Sequence, residues 1–353
     1  MMNQPPKILF LFPQYIYNSK NYIECEYKRL WFDTAIDAGF INCQIFYTDN
    51  ISYSYPSAGE RENDMKSLKE LIQVFLPDVI FSDINFQGNE SGVNPQFFEY
   101  IRQTFSLKVI GMIGDAWGDH GTNLMQYWSP SVDLLLYAAP PEDKHHVLVS
   151  KLPNIFLIPL AVNPNSYYNE IPKEIDVYFS GSLSWGLRPF WLPFLRNTVR
   201  NHALKAVINS HNREASIAFN HDTYEKYTRT SKVIVNFSSR NYNSNPVKAL
   251  TGRAWQAIAS GALLLEEDNE PIKHYFTPYV HYVPFKTVPD LEFLINFFVK
   301  NAEYRDLISQ AGFRYCNEHY NSSKTWWRII NHLFDDCEVC SYYSNSTPIV
   351  ENT

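Results

Sequence analysis

The residues best suited to chemistry lie in one stretch, Asn245 to Asp268, which reads NPVKALTGRAWQAIASGALLLEED. Asn245 suits a helix N-cap, Pro246 the first helical position and Gly261 the residue past the end, so the spacing predicts a helix over Pro246–Ser260. Lys248 then falls in the first turn, where the helix dipole disfavours a cation by a few tenths to ~1 kcal/mol. A bound anion would offset that cost, because free backbone N–H groups at a helix start already favour phosphate. On the same helix Lys248, Gly252 and Gln256 form a polar stripe with Arg253 beside it, opposite an apolar face of Val247, Leu250, Ala254 and Ile258. A solvated helix face is the competing reading of that stripe. The strand that follows ends in Glu266, Glu267 and Asp268, which are acceptors for sugar hydroxyls one element away from donors for phosphate. A nucleotide sugar needs both, although a charged surface turn is the plainer reading for at least one of the three acids.

Two other groups carry weaker signals. FSGSLSWGLR, residues 179–188, is a loop after a strand with Gly181, Ser182 and Ser184, followed by Arg188. It fits neither the P-loop nor the dinucleotide fingerprint, but small residues let backbone amides approach a phosphate. IGDAWGDH contains Asp115, Asp119 and His120 just after another strand. A carboxylate or imidazole there could take a proton from an acceptor hydroxyl, provided it lies within hydrogen-bond reach. Asp115 is the first candidate base and His120 the second, against the reading of a helix-capping Asp and an exposed His. Trp117 and nearby tyrosines could stack on a sugar, though core packing is the commoner fate of aromatics. Cys337 and Cys340 form one CxxC without a second pair, so no metal site is expected. His145 and His146, like Trp326 and Trp327, have no partners at ligand or stacking spacing.

These groups must be positioned by an α/β framework. Apolar runs such as KILFLF, CQIFYTD, DVIFSDI, KVIGMIGD, VDLLLYAA and NIFLIPLAV alternate with helical patterns over Tyr22–Ala38, Met65–Phe75 and Pro95–Phe105. Apolar strands separated by helices imply a parallel sheet with crossover connections. NPNSYYNEIPKE, residues 163–174, has two prolines, three asparagines and no period, and reads as a linker. The series then restarts with DVYFSGS, LKAVIN, KVIVNFSS, GALLLEE and HYVPF. The expectation is two Rossmann-like domains facing across a cleft, 1–165 and 171–334, with a flexible tail at 335–353. Open parallel sheets bind ligands beyond the carboxyl ends of their strands, so functional residues should follow strands directly.

Composition removes several classes of function. A chain of 353 residues with 45% hydrophobic and 19% charged residues can bury two cores and is not a disordered polyelectrolyte. The formal charge of −7, without basic runs, provides no footprint for nucleic acid. The first apolar run stops at Pro13, too short for a secretory core or a membrane span, and no integral membrane segment is expected. Five cysteines at irregular spacing do not make a disulfide framework, which fits a reducing cytoplasm. The two NxS/T sequences, at 321–323 and 345–347, are then chance matches.

The segment RAWQAIASGALLLEE resembles the R-x-[FW]-E-x4-G-[AG]-L-L-L-x-[DE] pattern of GT-B glycosyltransferases, and among them the CgeB-like, spore-maturation type group. The later YFTPYVHYVPFKTVPDLEFLINFFVKNAEYRDLISQAGFRYCNEHY is similar to the same group in its strand and its helix starting near Pro-Asp. The specific part covers residues 176–334. The resemblance implies a GT-B fold and transfer of a sugar from a nucleoside-diphosphate sugar, UDP- or GDP-linked, to a carbohydrate or other hydroxyl acceptor. It also implies no metal and no cofactor besides that donor, because positive groups would take the metal's task at the leaving diphosphate. It places Lys248 and Arg253 at the donor pyrophosphate, with Gly181, Ser182 and Arg188 on its other side. Gln256 stands where relatives carry a ribose-binding Glu, and Lys248 where many retaining enzymes carry a sugar-binding Glu. Glu267 could replace the lost acid, with Glu266 beside it. A sugar-nucleotide epimerase of the same layout and a non-catalytic nucleotide-sugar-binding protein are the competing functions.

Overall fold

The computed structural model of the protein describes residues 4–18, 21–49, 58–84, 93–114, 118–137, 152, 154–158, 168, 171–182, 186–211, 221–242, 245–248 and 250–334. Its chain packs as two units, one made of Met1–Gln14, Tyr27–Pro159 and Thr325–Thr353, the other of Tyr15–Glu26 and Leu160–Lys324. Packing thus groups the chain less linearly than 1–165 and 171–334, since a short N-terminal segment goes with the second unit and the C-terminal helix returns to the first.

In the first unit β1 (Ile8–Phe12) comes first, and along the chain it is followed by a hairpin, β2 (Tyr15–Asn18) and β3 (Asn21–Glu24), that belongs to the second unit. A π-helical turn, Lys28–Asp33, leads into α1 (Thr34–Asp37), so the helix expected over Tyr22–Ala38 is confined to its second half. The order continues with β4 (Cys43–Tyr47), α2 (Ala58–Phe75), β5 (Val79–Asp83), α3 (Pro95–Phe105), β6 (Lys108–Ile113), α4 (Gly118–Trp128), β7 (Leu134–Tyr137) and β8 (Ile155–Leu157). The six strands β4-β1-β5-β6-β7-β8 form one parallel sheet. β1 and β5 are buried along their whole length, which is why ILFLF and the VIF that opens β5 read as unbroken apolar runs, while Ser82 and Asp83 are buried polar residues at the end of β5. α3 starts where its sequence says it should: Asn94 Oδ1 accepts from the Phe97 N–H at 2.8 Å and Pro95 occupies the first turn.

The second unit contains β9 (Ile175–Ser182), α5 (Arg188–Asn201), β10 (Ala206–His211), α6 (His221–Thr230), β11 (Ser231–Asn236), a hairpin of β12 (Ser239–Tyr242) and β13 (Asn245–Lys248), α7 (Gly252–Ala259), β14 (Leu263–Glu267), α8 (Glu270–Lys273), β15 (Val283–Phe285), α9 (Val288–Lys300) and α10 (Ala302–His319). The last helix, α11 (Ser322–Phe334), starts in this unit and continues in the first. The five strands β10-β9-β11-β14-β15 are parallel. From β9 the chain crosses to β10 on one side and then returns to β11 on the other, so the topological switch lies between the carboxyl ends of β9 and β11. α9 carries a full capping box between Thr287 and Asp290, as its Thr-Val-Pro-Asp start requires.

The helix expected over Pro246–Ser260 is the main correction. Residues 245–248 are a strand paired antiparallel with β12, with Ser239 opposite Lys248 and Tyr242 opposite Asn245. The helix begins only at Gly252. Asn-Pro serves a turn or an edge strand as readily as a helix start, since proline lacks the N–H that an inner strand or an inner helical turn would use. The C-terminal end of the helix is as expected: Gly261 takes φ +68°, the left-handed conformation a glycine adopts at no steric cost.

Candidate functional site

Next to the switch of the second sheet, two strand ends bring polar side chains together. β11 ends in Asn236 and continues through Ser238 and Ser239, and β14 ends in Glu266 and Glu267, all of them buried. The parallel register sets Asn236 beside Glu266. Asn236 Nδ2 donates to both carboxyl oxygens, at 3.1 and 2.8 Å, and to the Thr251 hydroxyl at 3.1 Å. Thr251 is the N-cap residue of α7 but makes no capping bond to its helix, so its oxygen serves Asn236 instead. On its other side the Asn236 carbonyl accepts from Arg253 Nη1 at 3.0 Å.

Successive residues of a strand point to opposite faces, and the two glutamates accordingly have separate partners. Glu267 Oε2 accepts from the Ser239 N–H at 2.9 Å, and Oε1 accepts from both the Ser239 hydroxyl and Lys248 Nζ, the latter at 2.6 Å. Lys248 is therefore an ion-pair partner of a buried carboxylate, and the argument from a cation in a helix's first turn does not apply to it. Arg253 is the cation in the first turn of α7. Its guanidinium lies 5.9 Å from the centroid of the Phe179 ring on β9. Among the described residues it makes no salt bridge and its Nε has no hydrogen-bond partner.

Gln256 lies on the buried face of α7, not on a solvated stripe. Its side-chain carbonyl accepts from the Tyr224 hydroxyl of α6. Burial raises the Tyr224 pKa, with Arg253 acting in the opposite direction, so the phenol stays a neutral donor. Arg188 is buried at the start of α5 and donates to the main-chain carbonyls of Phe237, at 3.3 Å, and Ser182, at 3.2 Å. A Cβ at Gly181 would lie 3.2 Å from Arg188 Nη1 and 3.2 Å from Phe179 Cζ. The glycine thus lets Arg188 tie the end of β9 to the segment after β11.

Burial pushes the Glu266 carboxyl up to about 8, more strongly than hydrogen bonds from Asn236, Asn269 and Ser238 bring it down. Among the described residues no cation bonds it directly, in contrast to Glu267 with Lys248. Among the described residues no group of three or more His, Cys, Asp or Glu could hold a metal ion.

Most of the expected residues converge here: Lys248, Arg253, Gln256, Glu266 and Glu267 form one connected cluster, with Gly181, Ser182 and Arg188 at the adjoining strand end. Both glutamates and Gln256 spend acceptors on the protein itself, however, which the expectation of sugar and ribose contacts did not include. Asp115 and Trp117 lie outside the described residues, and His120 falls in the first turn of α4 with its side chain undescribed. Sequence reading missed Asn236, Ser239, Thr251 and Tyr224. The polar run NFSS directly after the apolar KVIV was the available signal for the first two.

The profile of a family described as glycosyl transferase-like matches residues 176–331, which contain this whole cluster. Solved structures resemble the chain over nearly its full length. HepE of Anabaena, solved with UDP and glucose, superposes with a TM-score of 0.59 at 10% identity, covering 93% of this chain and 99% of that one. Sucrose-phosphate synthase of Thermosynechococcus elongatus gives 0.62 at 10% identity, with 93% and 99% covered. The fold is that of the GT-B glycosyltransferases. An alpha-glucosyltransferase solved with UDP-glucose and DNA containing an abasic site is a third GT-B match, with a TM-score of 0.60, 11% identity and 94% and 100% covered. A comparison with curated proteins found no match to the sequence. No helix among the described residues is long and apolar enough to cross a membrane.

Proposed function

We propose that the chain is a glycosyltransferase that moves a sugar from a nucleoside-diphosphate sugar, UDP-linked in the first instance, to a hydroxyl acceptor. The observation that carries this reading is Arg253. It is a guanidinium at the switch point of a GT-B second sheet, held by a neutral amide and an aromatic ring and by no carboxylate among the described residues. Its charge is available to the diphosphate that leaves as the glycosidic bond forms, and a fixed cation at developing charge is an effective form of transition-state stabilisation. The UDP and UDP-glucose in the structures of HepE and of the alpha-glucosyltransferase support the choice of base. RAWQAIASGALLLEE supports placement near the CgeB-like group.

On this reading the reaction needs neither metal nor further cofactor, the first unit binds the acceptor, and Asp115, or failing it His120, takes the acceptor's proton. The protein works in the cytoplasm, where nucleotide sugars are made. The test is a thermal-shift panel of UDP, GDP, ADP, CDP and TDP with and without magnesium. A ligand of the folded state alone stabilises by RT ln(1 + [L]/Kd), about 2.7 kcal/mol at a hundredfold excess over Kd. The expected result is a shift with UDP that does not depend on magnesium and is lost in Arg253→Ala. A full shift in that variant would remove Arg253 from the site, and no shift with any nucleotide would overturn the donor assignment. Conversion of UDP-glucose incubated alone into another sugar nucleotide would show an epimerase instead.

A further inference from the structure

The side chains behind Arg253 have an arrangement that simple packing does not require. Asn236 is an amide used in one direction: its N–H groups face Glu266 and Thr251, and its carbonyl faces Arg253. The reverse orientation would set the amide N–H groups against the guanidinium, donor against donor. Glu266 is fully buried and takes a further bond from Asn269 Nδ2 at 3.3 Å. We propose that Glu266 and Asn236 form a buried relay that positions Arg253 and sets how much positive charge it presents to the donor diphosphate. This rests on the donor reading above and goes beyond it by assigning two positioning residues, neither of which needs to touch the substrate.

The relay has two charge states. With the carboxyl protonated, Arg253 keeps its full field. With the carboxyl ionised, a negative charge stands one amide away and cancels part of that field in a site where screening by water is weak. The change falls near neutral pH, since burial pushes the carboxyl up to about 8. Among the described residues the charged and titratable groups near Glu266 are its strand neighbours Glu267 and Asp268, Tyr282 ahead of β15 and, across Asn236, Arg253 of α7, while Lys248 of β13 is bonded to Glu267. Lys248 and Glu267 offset one another, and burial raises the Tyr282 pKa, which keeps its phenol neutral throughout the range. Lys173, lowered to about 8 by burial, titrates in the same window, and the comparison with Glu266→Gln removes its contribution.

The experiment has two arms. The first needs no ligand: phenylglyoxal labelling of Arg253, read by mass spectrometry between pH 7 and 9.5 against the exposed Arg314 of the same molecule. The reagent attacks the unprotonated guanidine, so an adjacent carboxylate slows it. In the unmodified protein labelling of Arg253 should lag increasingly behind Arg314 above pH 8. The lag should vanish in Glu266→Gln, and in Asn236→Leu if that variant folds. The second arm measures UDP binding by calorimetry over the same range, where the terminal phosphate is already ionised. The Kd should rise several-fold from pH 7 to 9.5 in the unmodified protein, and the ratio should fall towards one in Glu266→Gln. Arg253 labelling that follows Arg314 equally in both proteins would overturn the relay, as would the same pH trend of Kd in both. If UDP binds neither protein the donor reading fails, and labelling alone decides whether the relay stands.

Discussion

Glu266 differs from an ordinary strand-end acid in being buried with no cation bonded to it among the described residues, and that has a sign in stability. Its folded pKa of about 8 lies above the ordinary 4.5, because desolvation exceeds the help from three neutral hydrogen-bond donors. Between those two values the folded state holds a proton that the unfolded chain has released, so stability falls as pH rises across that window and levels off above it. Glu266→Gln has no such proton to lose. Its stability relative to the unmodified protein, read from melting, should therefore climb from pH 5 through pH 8 and level off above about pH 9, a differential of up to roughly 4 kcal/mol. Equal differences at pH 5 and pH 8 would show that the carboxyl is ionised in the folded protein. The sequence displays Glu266, Glu267 and Asp268 as one acidic run and offers no reason to separate them. Their separation comes from residues 28 and 30 positions earlier, Ser239 and Asn236, brought alongside by a parallel register that no local pattern records.

At the scale of elements, the strands of the two parallel sheets and the helices over Met65–Phe75 and Pro95–Phe105 were legible. Parallel strands covered on both faces leave continuous apolar runs, and the starts of α3 and α9 are written in their capping residues. The hairpin β12–β13 was not legible, because Asn245-Pro246 satisfies the rules for a helix start and for a turn, and the bond that the hairpin makes from Lys248 reaches Glu267, 19 residues on. That bond makes a prediction about β13 itself. Glu267 has only 4% of its side chain exposed, so Lys248→Ala leaves a buried carboxylate without its cation. Loss of one partner of such a pair costs about 3 kcal/mol. Urea unfolding should show Lys248→Ala destabilised by that order, and the double variant Lys248→Ala, Glu267→Gln should recover much of it. Strict additivity of the two substitutions would mean that the pair does not hold the hairpin. The result bears on function, since nucleotide binding lost in Lys248→Ala is then a consequence of a displaced hairpin and not proof of a phosphate contact.

For the whole molecule, reading the chain as consecutive domains assigns 171–334 to one body, whereas from Thr325 onward the chain packs with the first unit. Trp326 holds this return, together with Trp327 on Phe40 and His332 on Phe156. It is fully buried against Phe10, Trp31, Phe40 and Phe81, with ring centroids 5.7, 6.1, 6.0 and 5.4 Å away, and its indole N–H donates to the Thr34 hydroxyl at 2.9 Å. In the sequence the Trp326-Trp327 pair has no partner at any regular spacing, because its partners lie some 250 to 320 residues earlier, at distances local periodicity cannot report. Aromatic truncation in a core costs about 3–5 kcal/mol through lost transfer energy and the cavity left behind. Trp326→Ala should therefore lower the thermal stability of the first unit by that order. Thr34→Val, which removes the indole's acceptor together with the hydroxyl's own bond to the Leu30 carbonyl at 2.6 Å and leaves a buried N–H unpaired, should cost less, about 1–3 kcal/mol. The second unit holds the Arg253 cluster without this helix, so the UDP-dependent shift should survive in the folded fraction of Trp326→Ala. Melting unchanged from the parent would mean that the first unit closes its core without the C-terminal helix, and that the return of the chain serves some purpose other than stability.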